Sequence, residues 1–357
     1  MPGDTGACGH FRLAFPAEAA HHAGLNVKLL QAGFVVTHHA GRRDPNVGGY
    51  HVGDIDPVPA DVLVVQRAFD VSFVECLEIS KRRYGQKIVL DLDDHFHAIH
   101  PKNRAYRAVH PTTSPRSNWN YLPRALAVAD VVTVTTPELL QRYGGGKGVI
   151  VPNRVPRAML SLEGGDRDEP FVGWSGTIAT HPEDLDVTRG AVAKAVPVDR
   201  FRVVGDPAGV GRALGWPEDP WGTGWLPFMD YFPTLAAAYD IGIVPLQNSV
   251  FNRAKSALKS LENAACGIPS VVSPTYDNLR VAADGIGLVA AKPRQWAGHL
   301  RRLLNDDAYR LDLGAQAREA VAAKHTIEGN IEQWIEAWTS ALQSPSKTSA
   351  SRLLLPG

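Results

Sequence analysis

The sequence predicts two doubly wound α/β domains, each with a parallel β-sheet between layers of helices. The chain has 357 residues, which exceeds the size at which one hydrophobic core usually stops growing, so two domains of roughly 150 residues are expected. Short apolar segments rich in β-branched residues alternate with helical patterns twice along the chain, as in parallel sheets covered on both faces. A stretch rich in Pro, Gly and charge, from Pro152 to Pro170, separates the two series and predicts an interdomain linker.

The first series of elements lies before the linker. Its apolar patterns predict strands over 27–30, 61–66, 87–92, 131–135 and 148–151, and helices over 11–23, 71–84 and 119–129. The glycine-rich segment 3–9 is typical of the turn after a first strand, yet almost nothing precedes it. Either the first strand is absent or the true start lies upstream.

The second series follows the same alternation. It predicts strands over 171–174, 201–204, 241–244 and 270–273, and helices over 183–196, 231–239, 254–266, 294–304, 308–323 and 327–341. We therefore divide the chain into a first domain over 1–152, a linker over 153–169, a second domain over 170–325, a final helix over 326–342 and a flexible tail over 343–357.

Composition narrows the functional classes. The 37 basic residues balance the 37 acidic ones, which gives no net field for nucleic acid or an anionic membrane. Three scattered cysteines match neither a disulfide framework nor a zinc spacing, and a reducing, cytoplasmic location is expected. No apolar run is long enough to span a membrane, and the N-terminus lacks the regions of a signal peptide.

The segment 240–273 carries the strongest chemical signal. A buried strand ends at Pro245, a polar loop follows, and a helix is predicted from Ala254, whose N-terminus would suit a diphosphate. Lys255 and Lys259 are expected on one face of this helix, with Glu262 one turn beyond. Cations followed by a carboxylate match a nucleoside diphosphate, whose ribose needs a hydrogen-bond acceptor. A solvated helix face with ordinary Lys–Glu pairs is the competing interpretation.

Two further segments follow predicted strands, where α/β folds place their binding groups. Gly173 and Gly176 flank a strand-to-loop turn where a phosphate or sugar could approach the backbone, although a tight turn alone also explains them. In the first domain, Asp91-Leu-Asp-Asp-His-Phe-His follows a strand. Its Asp and His residues would suit Zn²⁺ or Mn²⁺, but the spacing matches no standard metal motif. A structural loop cap is the alternative for each of these residues.

These segments together resemble the GT-B glycosyltransferases. The likeness lies in the strand ending in Pro-Leu before Lys-Ser, Leu-Lys, Leu-Glu and Gly-x-Pro, and in the opening Gly-Trp-Ser-Gly-Thr followed by His181 and Asp184. It implies the GT-B fold: two Rossmann-like domains facing a cleft, with the final helix, which carries Trp334 and Trp338, crossing back to the first domain. By this resemblance Glu262 accepts the ribose hydroxyls and Lys255 meets the diphosphate.

The resemblance also supplies the rest of the donor-binding residues, which are Gly173, Gly176, Thr177, His181, Phe251, Asn252, Ser256 and Lys259. The sequence departs from the relatives that use two glutamates separated by seven residues, because the first position is Ala254. The sugar contacts of that glutamate must come from elsewhere, with Asn252 and Ser256 as candidates.

On the acceptor side, the likeness is to a bacterial and phage branch of the same superfamily. It implies that Asp93 or Asp94 orients an acceptor hydroxyl and that His95 or His97 touches the donor sugar or acts as a base. In the opening Gly6-Ala-Cys-Gly-His-Phe-Arg, the resemblance brings Gly9 and Arg12 towards the donor phosphate. An Arg12 that binds carboxylates of its own domain is the structural alternative. Neither a bound metal nor a bound cofactor is expected.

The resemblance implies transfer of a sugar from a nucleotide-diphosphate sugar to a hydroxyl acceptor, with retention of anomeric configuration. Two alternatives stay open: a nucleotide-sugar 2-epimerase, which shares the fold, and a non-catalytic donor-binding protein, suggested by Ala254. A dehydrogenase is disfavoured because no strand leads into a Gly-x-Gly-x-x-Gly turn. Glycan, lipid, protein and a modified DNA base all remain possible acceptors.

Overall fold

The computed structural model describes residues 1, 6–30, 33–44, 49–67, 71–110, 113, 118–164 and 167–344. Residues 3–5 of the predicted glycine-rich turn and residues 345–357 of the predicted tail therefore lie outside the described residues. Two parallel sheets organise the described part of the chain.

The first half contains two sheets. An antiparallel pair, β1 (Val36–Asp44) and β2 (Gly49–Ile55), packs on a helix, and the sequence analysis missed it. The N-terminal sheet has the order β3-β4-β5-β6, with all three neighbouring pairs parallel. Its strands are β3 (Val62–Gln66), β4 (Lys87–Leu92), β5 (Val131–Val134) and β6 (Gly148–Ile150).

The helices of this half include one π-helical stretch, His10–Ala14, between α1 and α2. The α-helices are α1 (Ala7–Gly9), α2 (Phe15–His22), α3 (Val71–Tyr84), α4 (Tyr106–Val109), α5 (Leu122–Val128) and α6 (Pro137–Tyr143). Next to the edge strand β3, the backbone of Met1 donates to Val64 (2.7 Å) and accepts from Gln66 (3.1 Å), which is how a parallel strand would pair there.

The C-terminal sheet has the order β12-β11-β10-β7-β8-β9, and its neighbouring pairs are all parallel. Its strands are β7 (Val172–Ser175), β8 (Phe201–Val204), β9 (Trp221–Gly222), β10 (Ile241–Val244), β11 (Ser270–Val272) and β12 (Leu288–Val289). The helices are α7 (Val210–Leu214), α8 (Phe228–Ala238), α9 (Val250–Arg253), α10 (Leu258–Ala265), α11 (Tyr276–Ala282), α12 (Pro293–Asn305), α13 (Asp307–Lys324) and α14 (Ile331–Thr339).

The last helix returns to the first half of the chain. In α14, Trp334 and Trp338 are buried in one apolar cluster with Leu13 of the π-helix and with Val89 and Val131 of the N-terminal sheet. Burial of two indole rings is a large apolar contribution, so this helix holds the two halves together.

Two predicted elements are wrong. Residues 27–30 form no strand: the backbone is irregular there, although Val27 still packs on the cluster beneath α14. The predicted helix over 183–196 is a short 3₁₀ turn, Leu185–Thr188, followed by further turns. Glu183 (φ 67°) and Arg189 (φ 47°) are left-handed and interrupt an α-helix, while Val192 is buried as the apolar pattern requires.

Candidate donor site in the interdomain crevice

The carboxyl ends of the two parallel sheets face each other across a crevice, the usual ligand position in open α/β sheets. Several hydrogen bonds between described residues join its walls, and four of them involve backbone, amide or hydroxyl groups. The backbone N–H of Arg104 donates to Ala179 (2.8 Å), and Asn103 Nδ2 donates to the Thr180 carbonyl (2.9 Å). The other two link Thr136 Oγ1 to the Ala254 carbonyl (3.0 Å) and Asn153 Nδ2 to Ser256 Oγ (2.8 Å). Ser256 therefore binds the segment after β6.

Lys255 and Asp94 form an ion pair across the crevice. Lys255 Nζ lies 3.1 Å from Asp94 Oδ1 and 4.6 Å from the centre of the Phe251 ring. Burial opposes the ammonium charge, but the negative charge of Asp94 outweighs it and raises the pKa of Lys255. The lysine is thus a fixed cation where the two halves of the chain meet.

The helix predicted over 254–266 begins only at Leu258, so Lys255 and Lys259 do not share a helical face. Two groups from other parts of the chain interrupt it: the Thr136 hydroxyl binds the Ala254 carbonyl, and the Asp277 carboxylate accepts from the Ala257 N–H (2.7 Å). Ala254 itself is 1% exposed and packs into the apolar cluster of the N-terminal sheet. The position of the missing first glutamate is therefore an interdomain packing contact.

Glu262 lies on α10 and is 4% exposed. Its Oε2 accepts a hydrogen bond from the Tyr231 hydroxyl (2.9 Å), a partner that the sequence analysis missed. Burial raises the pKa of Glu262 to about 7 and lowers the pKa of nearby Lys259 to about 8. Both groups thus titrate closer to neutral pH than their free counterparts.

Lys259 also connects α10 with the loop after β7. Its Nζ donates to the Ser175 carbonyl, lies 3.3 Å from His181 Nε2 and sits 5.5 Å from the centre of the Trp174 ring. Burial, followed by the charge of Lys259, lowers the pKa of His181 to about 4, which keeps the imidazole neutral at physiological pH.

Asp184 and Asn252 fix the loop between β10 and α9. Asp184 Oδ2 lies 3.1 Å from His181 Nδ1, while its Oδ1 accepts from Asn252 Nδ2 (2.6 Å) and from the Gln247 N–H (3.0 Å). Asn252 is 5% exposed. These contacts give Asn252 a structural role in shaping the pocket wall, without requiring a direct sugar contact.

Neighbouring side chains leave no room for a Cβ atom at either of the two predicted glycines. A Cβ at Gly173 would lie 1.9 Å from the Tyr239 ring, so this glycine makes room for a core tyrosine. A Cβ at Gly176 would lie 2.8 Å from the Trp174 ring and 3.0 Å from Lys259 Nζ. Gly176 therefore lies directly beside the buried lysine. Thr177 is buried, and its Oγ1 caps the turn by accepting from the Ala179 N–H (3.3 Å).

Arg67 organises the acidic side of the crevice and was also missed. Its Nε and Nη2 bind the two oxygens of Asp93, each at 2.8 Å, and Nη2 lies 3.5 Å from Asp94 Oδ2. Burial opposes the charge of Asp93, but Arg67 outweighs it and lowers the pKa of Asp93. Its place just after β3, at the carboxyl edge of the sheet, was the sequence signal that could have identified it.

The two histidines that follow Asp94 lie against α6. His97 Nδ1 lies 3.1 Å from the Tyr143 hydroxyl, and the His95 ring meets the Tyr143 ring edge-on at 5.9 Å. His95 Nδ1 is buried without a hydrogen-bond partner among the described residues. Burial, followed by the charge of Arg142, lowers the pKa of both histidines.

Arg12 and Gly9 lie beneath the crevice. Arg12 is 1% exposed, binds both oxygens of Asp91 (shortest distance 2.7 Å), and donates to the Val151 carbonyl (2.7 Å) and to Asn153 Oδ1 (3.0 Å). Gly9 is buried at the end of α1. The contacts of Arg12 match the structural alternative, because its guanidinium is occupied by carboxylate and carbonyl oxygens of its own half.

The described ranges contain neither a metal-binding cluster nor a membrane-spanning helix. No three or more His, Cys, Asp and Glu residues there are grouped so that they could hold a metal ion. No helix in the same part of the chain is long and apolar enough to cross a membrane.

Comparison with known proteins agrees with this geometry. Residues 188–336 match the family described as "Glycosyl transferase-like". The structure is similar to sucrose-phosphate synthase from Thermosynechococcus elongatus, with a TM-score of 0.55, 17% identity, and coverage of 80% of this chain and 74% of that one. No curated protein sequence matches the chain.

Two more solved structures have the same fold. HepE from Anabaena, in complex with UDP-glucose, gives a TM-score of 0.52 at 13% identity, covering 80% of this chain and 79% of that one. TarM gives 0.54 at 14% identity, covering 78% of this chain and 54% of that one, so the chain spans about half the length of TarM.

The protein therefore has the GT-B fold, as the resemblance implied, and its C-terminal half is a glycosyltransferase-like domain. The family match over residues 188–336 and the shared fold both indicate a glycosyltransferase.

The first prediction concerns Arg12. Arg12→Ala leaves Asp91 buried without its cation, which should lower the free energy of unfolding by about 3–5 kcal/mol in chemical denaturation. The exposed Arg294→Ala in α12 is the matched control and should change it by less than about 0.5 kcal/mol. Unchanged stability together with lost nucleotide binding would instead assign Arg12 to the donor site.

The second prediction concerns the pH dependence of stability. The pKa of Glu262 is about 7 in the folded protein and 4.5 ordinarily, so the folded state binds this proton more tightly. Its contribution to stability is complete below pH 4.5 and is lost as the pH rises to about 7, at about 1.4 kcal/mol per unit of pKa difference. Glu262→Gln should remove this pH-dependent loss. The measurement is the difference in the free energy of unfolding between the two proteins, taken from urea denaturation at each pH from 4.5 to 8. A difference that does not vary with pH would contradict the raised pKa.

Proposed function

We propose that the protein transfers a sugar from a nucleoside-diphosphate sugar to a hydroxyl acceptor, with the donor in the crevice between the two sheets. The observation that carries this proposal is the arrangement of Lys255, Lys259 and Glu262 at the carboxyl edge of the C-terminal sheet. Two cations suit a diphosphate, and a buried carboxylate suits a ribose diol.

Each donor group has a defined place in this proposal. Lys255 exchanges Asp94 for the diphosphate and stabilises the charge that develops on the leaving group. Lys259, with a pKa of about 8, is largely protonated at neutral pH and supplies the second positive charge. Glu262 accepts hydrogen bonds from the ribose, with Tyr231 holding the carboxylate in place. The UDP-glucose complex of the structurally similar HepE makes UDP the first nucleotide to test.

The acceptor binds mainly to the first domain. The acceptor oxygen forms a bond to the anomeric carbon, while the bond from that carbon to the phosphate oxygen breaks and leaves its electron pair on the diphosphate. The hydroxyl proton passes to an oxygen of the leaving phosphate, which is compatible with retention. Asp94, released from Lys255, orients the hydroxyl, and the neutral imidazoles of His95 and His97 shape the wall behind it.

The proposal also assigns a role to each domain of the chain. The acceptor domain covers 1–152 and the donor domain 170–325, joined by a linker over 153–169 and by the final helix over 326–342. A cytoplasmic location follows from the few scattered cysteines.

The third prediction tests the donor site. We expect one of UDP-, GDP-, ADP- and dTDP-glucose to raise the melting temperature of the protein, because a ligand that binds only the folded state stabilises it. Glu262→Ala and Lys255→Ala should each abolish most of this shift. The matched control is Glu332→Ala, which removes an exposed carboxylate from α14 and should leave the shift unchanged.

The outcomes separate the proposal from its rivals. No shift with any nucleotide sugar would contradict the donor site. For the nucleotide sugar that binds, product analysis without an acceptor distinguishes an epimerase, which would release an epimerised nucleotide sugar. Tight binding without transfer to any member of a glycan, lipid, peptide and DNA panel would favour a non-catalytic protein.

A further inference from the structure

A cavity opens in the same crevice, beside the residues proposed to bind the donor. It has a volume of about 340 Å³ and lies between the start of α6 in the first half and the loops after β10 and β11 in the second. All these segments follow the carboxyl ends of parallel strands. The Ala254–Thr136 contact lies next to the cavity, because Arg253 and Pro137, the chain neighbours of these two residues, both line it.

Ser273 Oγ accepts from the Leu246 N–H (2.8 Å) at the wall of the cavity, whereas four other polar side chains of the lining have no partner within the described residues. Those of Glu138, Gln141, Asn248 and Arg253 make no hydrogen bond or ion pair with any residue that the structure describes. Each ends in a planar group with several donors or acceptors, which suits the closely spaced hydroxyls of a sugar. Glu138 and Arg253 carry opposite charges, so the lining as a whole favours a neutral ligand over a phosphate.

An aromatic ring completes the lining. Tyr276, the first residue of α11, is 55% exposed and lies beside Pro274 at the cavity. An exposed tyrosine offers a flat apolar face with a polar end, the complement of a pyranose ring, which has C–H groups on its faces and hydroxyls at its edge. The volume is near the lower end of small-molecule sites, about 300–1,000 Å³.

From this geometry we infer that the cavity binds the sugar ring of a carbohydrate acceptor. This inference rests on the proposed function and narrows its acceptor to a glycan or glycoconjugate with a terminal pyranose. Tyr276 packs against the ring, and Glu138 and Arg253 bind its hydroxyls from opposite walls. Because the two walls come from the two halves of the chain, a bound sugar would bridge them next to Lys255.

The fourth prediction uses methyl glycosides of glucose, galactose, mannose, N-acetylglucosamine and rhamnose as probes in saturation-transfer difference NMR on the full chain. At least one should bind at millimolar concentration. Tyr276→Ala should weaken its binding about tenfold, because the stacking surface is lost. The control Leu279→Ala removes a side chain that is 47% exposed on the same helix but outside the cavity, and should leave binding unchanged.

The sugar ring in the cavity could belong to the acceptor or to the donor. Repeating the NMR experiment with a saturating nucleotide sugar, chosen by its thermal shift, distinguishes the two. An acceptor glycoside should stay bound in its presence, whereas displacement would mean that the cavity receives the donor sugar and would overturn the inference. Absence of glycoside binding, or binding that Tyr276→Ala does not weaken, would overturn it as well. The donor site would survive these results if the Glu262-dependent thermal shift were intact.

Discussion

The ion pair between Lys255 and Asp94 is the contact on which the site depends, because it joins the carboxyl edges of the two sheets where a ligand must enter. It is held from both sides. Arg67 fixes the carboxylates of Asp93 and Asp94, while the Ala254–Thr136 hydrogen bond anchors the segment that carries Lys255. A cation in this position needs an anionic partner, and a diphosphate would replace Asp94 in that role. Binding of the donor would then be coupled to the release of Asp94 from Lys255.

Behind this pair, three buried ionisable groups lie on or beside α10. Their burial lowers the stability of the folded protein, because it disfavours their charged forms. Lys259, Glu262 and His181 all have pKa values displaced towards their neutral forms, because each is buried. Such displaced values are common at functional sites, where a ligand supplies the missing charge or hydrogen bond. The contacts of Lys259 with Ser175 and His181 hold the loop after β7 against α10 and so fix the relative positions of these buried groups.

The sequence predicted most of the sheet strands because short apolar runs rich in β-branched residues signal buried parallel strands. It failed where the backbone depends on distant partners. The start of α10 at Leu258 depends on Asp277, which binds the Ala257 N–H from twenty residues further along, and on Thr136 in the other half. The left-handed conformation of Glu183 has no signal in its residue type. For the candidate site, Lys255 and Glu262 were predicted from the motif, whereas Tyr231, which binds Glu262, was missed because nothing in its local sequence marks it.

A crystal structure of the protein with UDP would test the central claim, that the donor occupies the crevice at α10. We predict the diphosphate in contact with Lys255 and Lys259, the ribose hydroxyls within hydrogen-bond distance of Glu262, and a Lys255–Asp94 distance longer than 3.1 Å. UDP bound outside the crevice, or a complex in which Glu262 still contacts only Tyr231 and Lys255 only Asp94, would contradict the account.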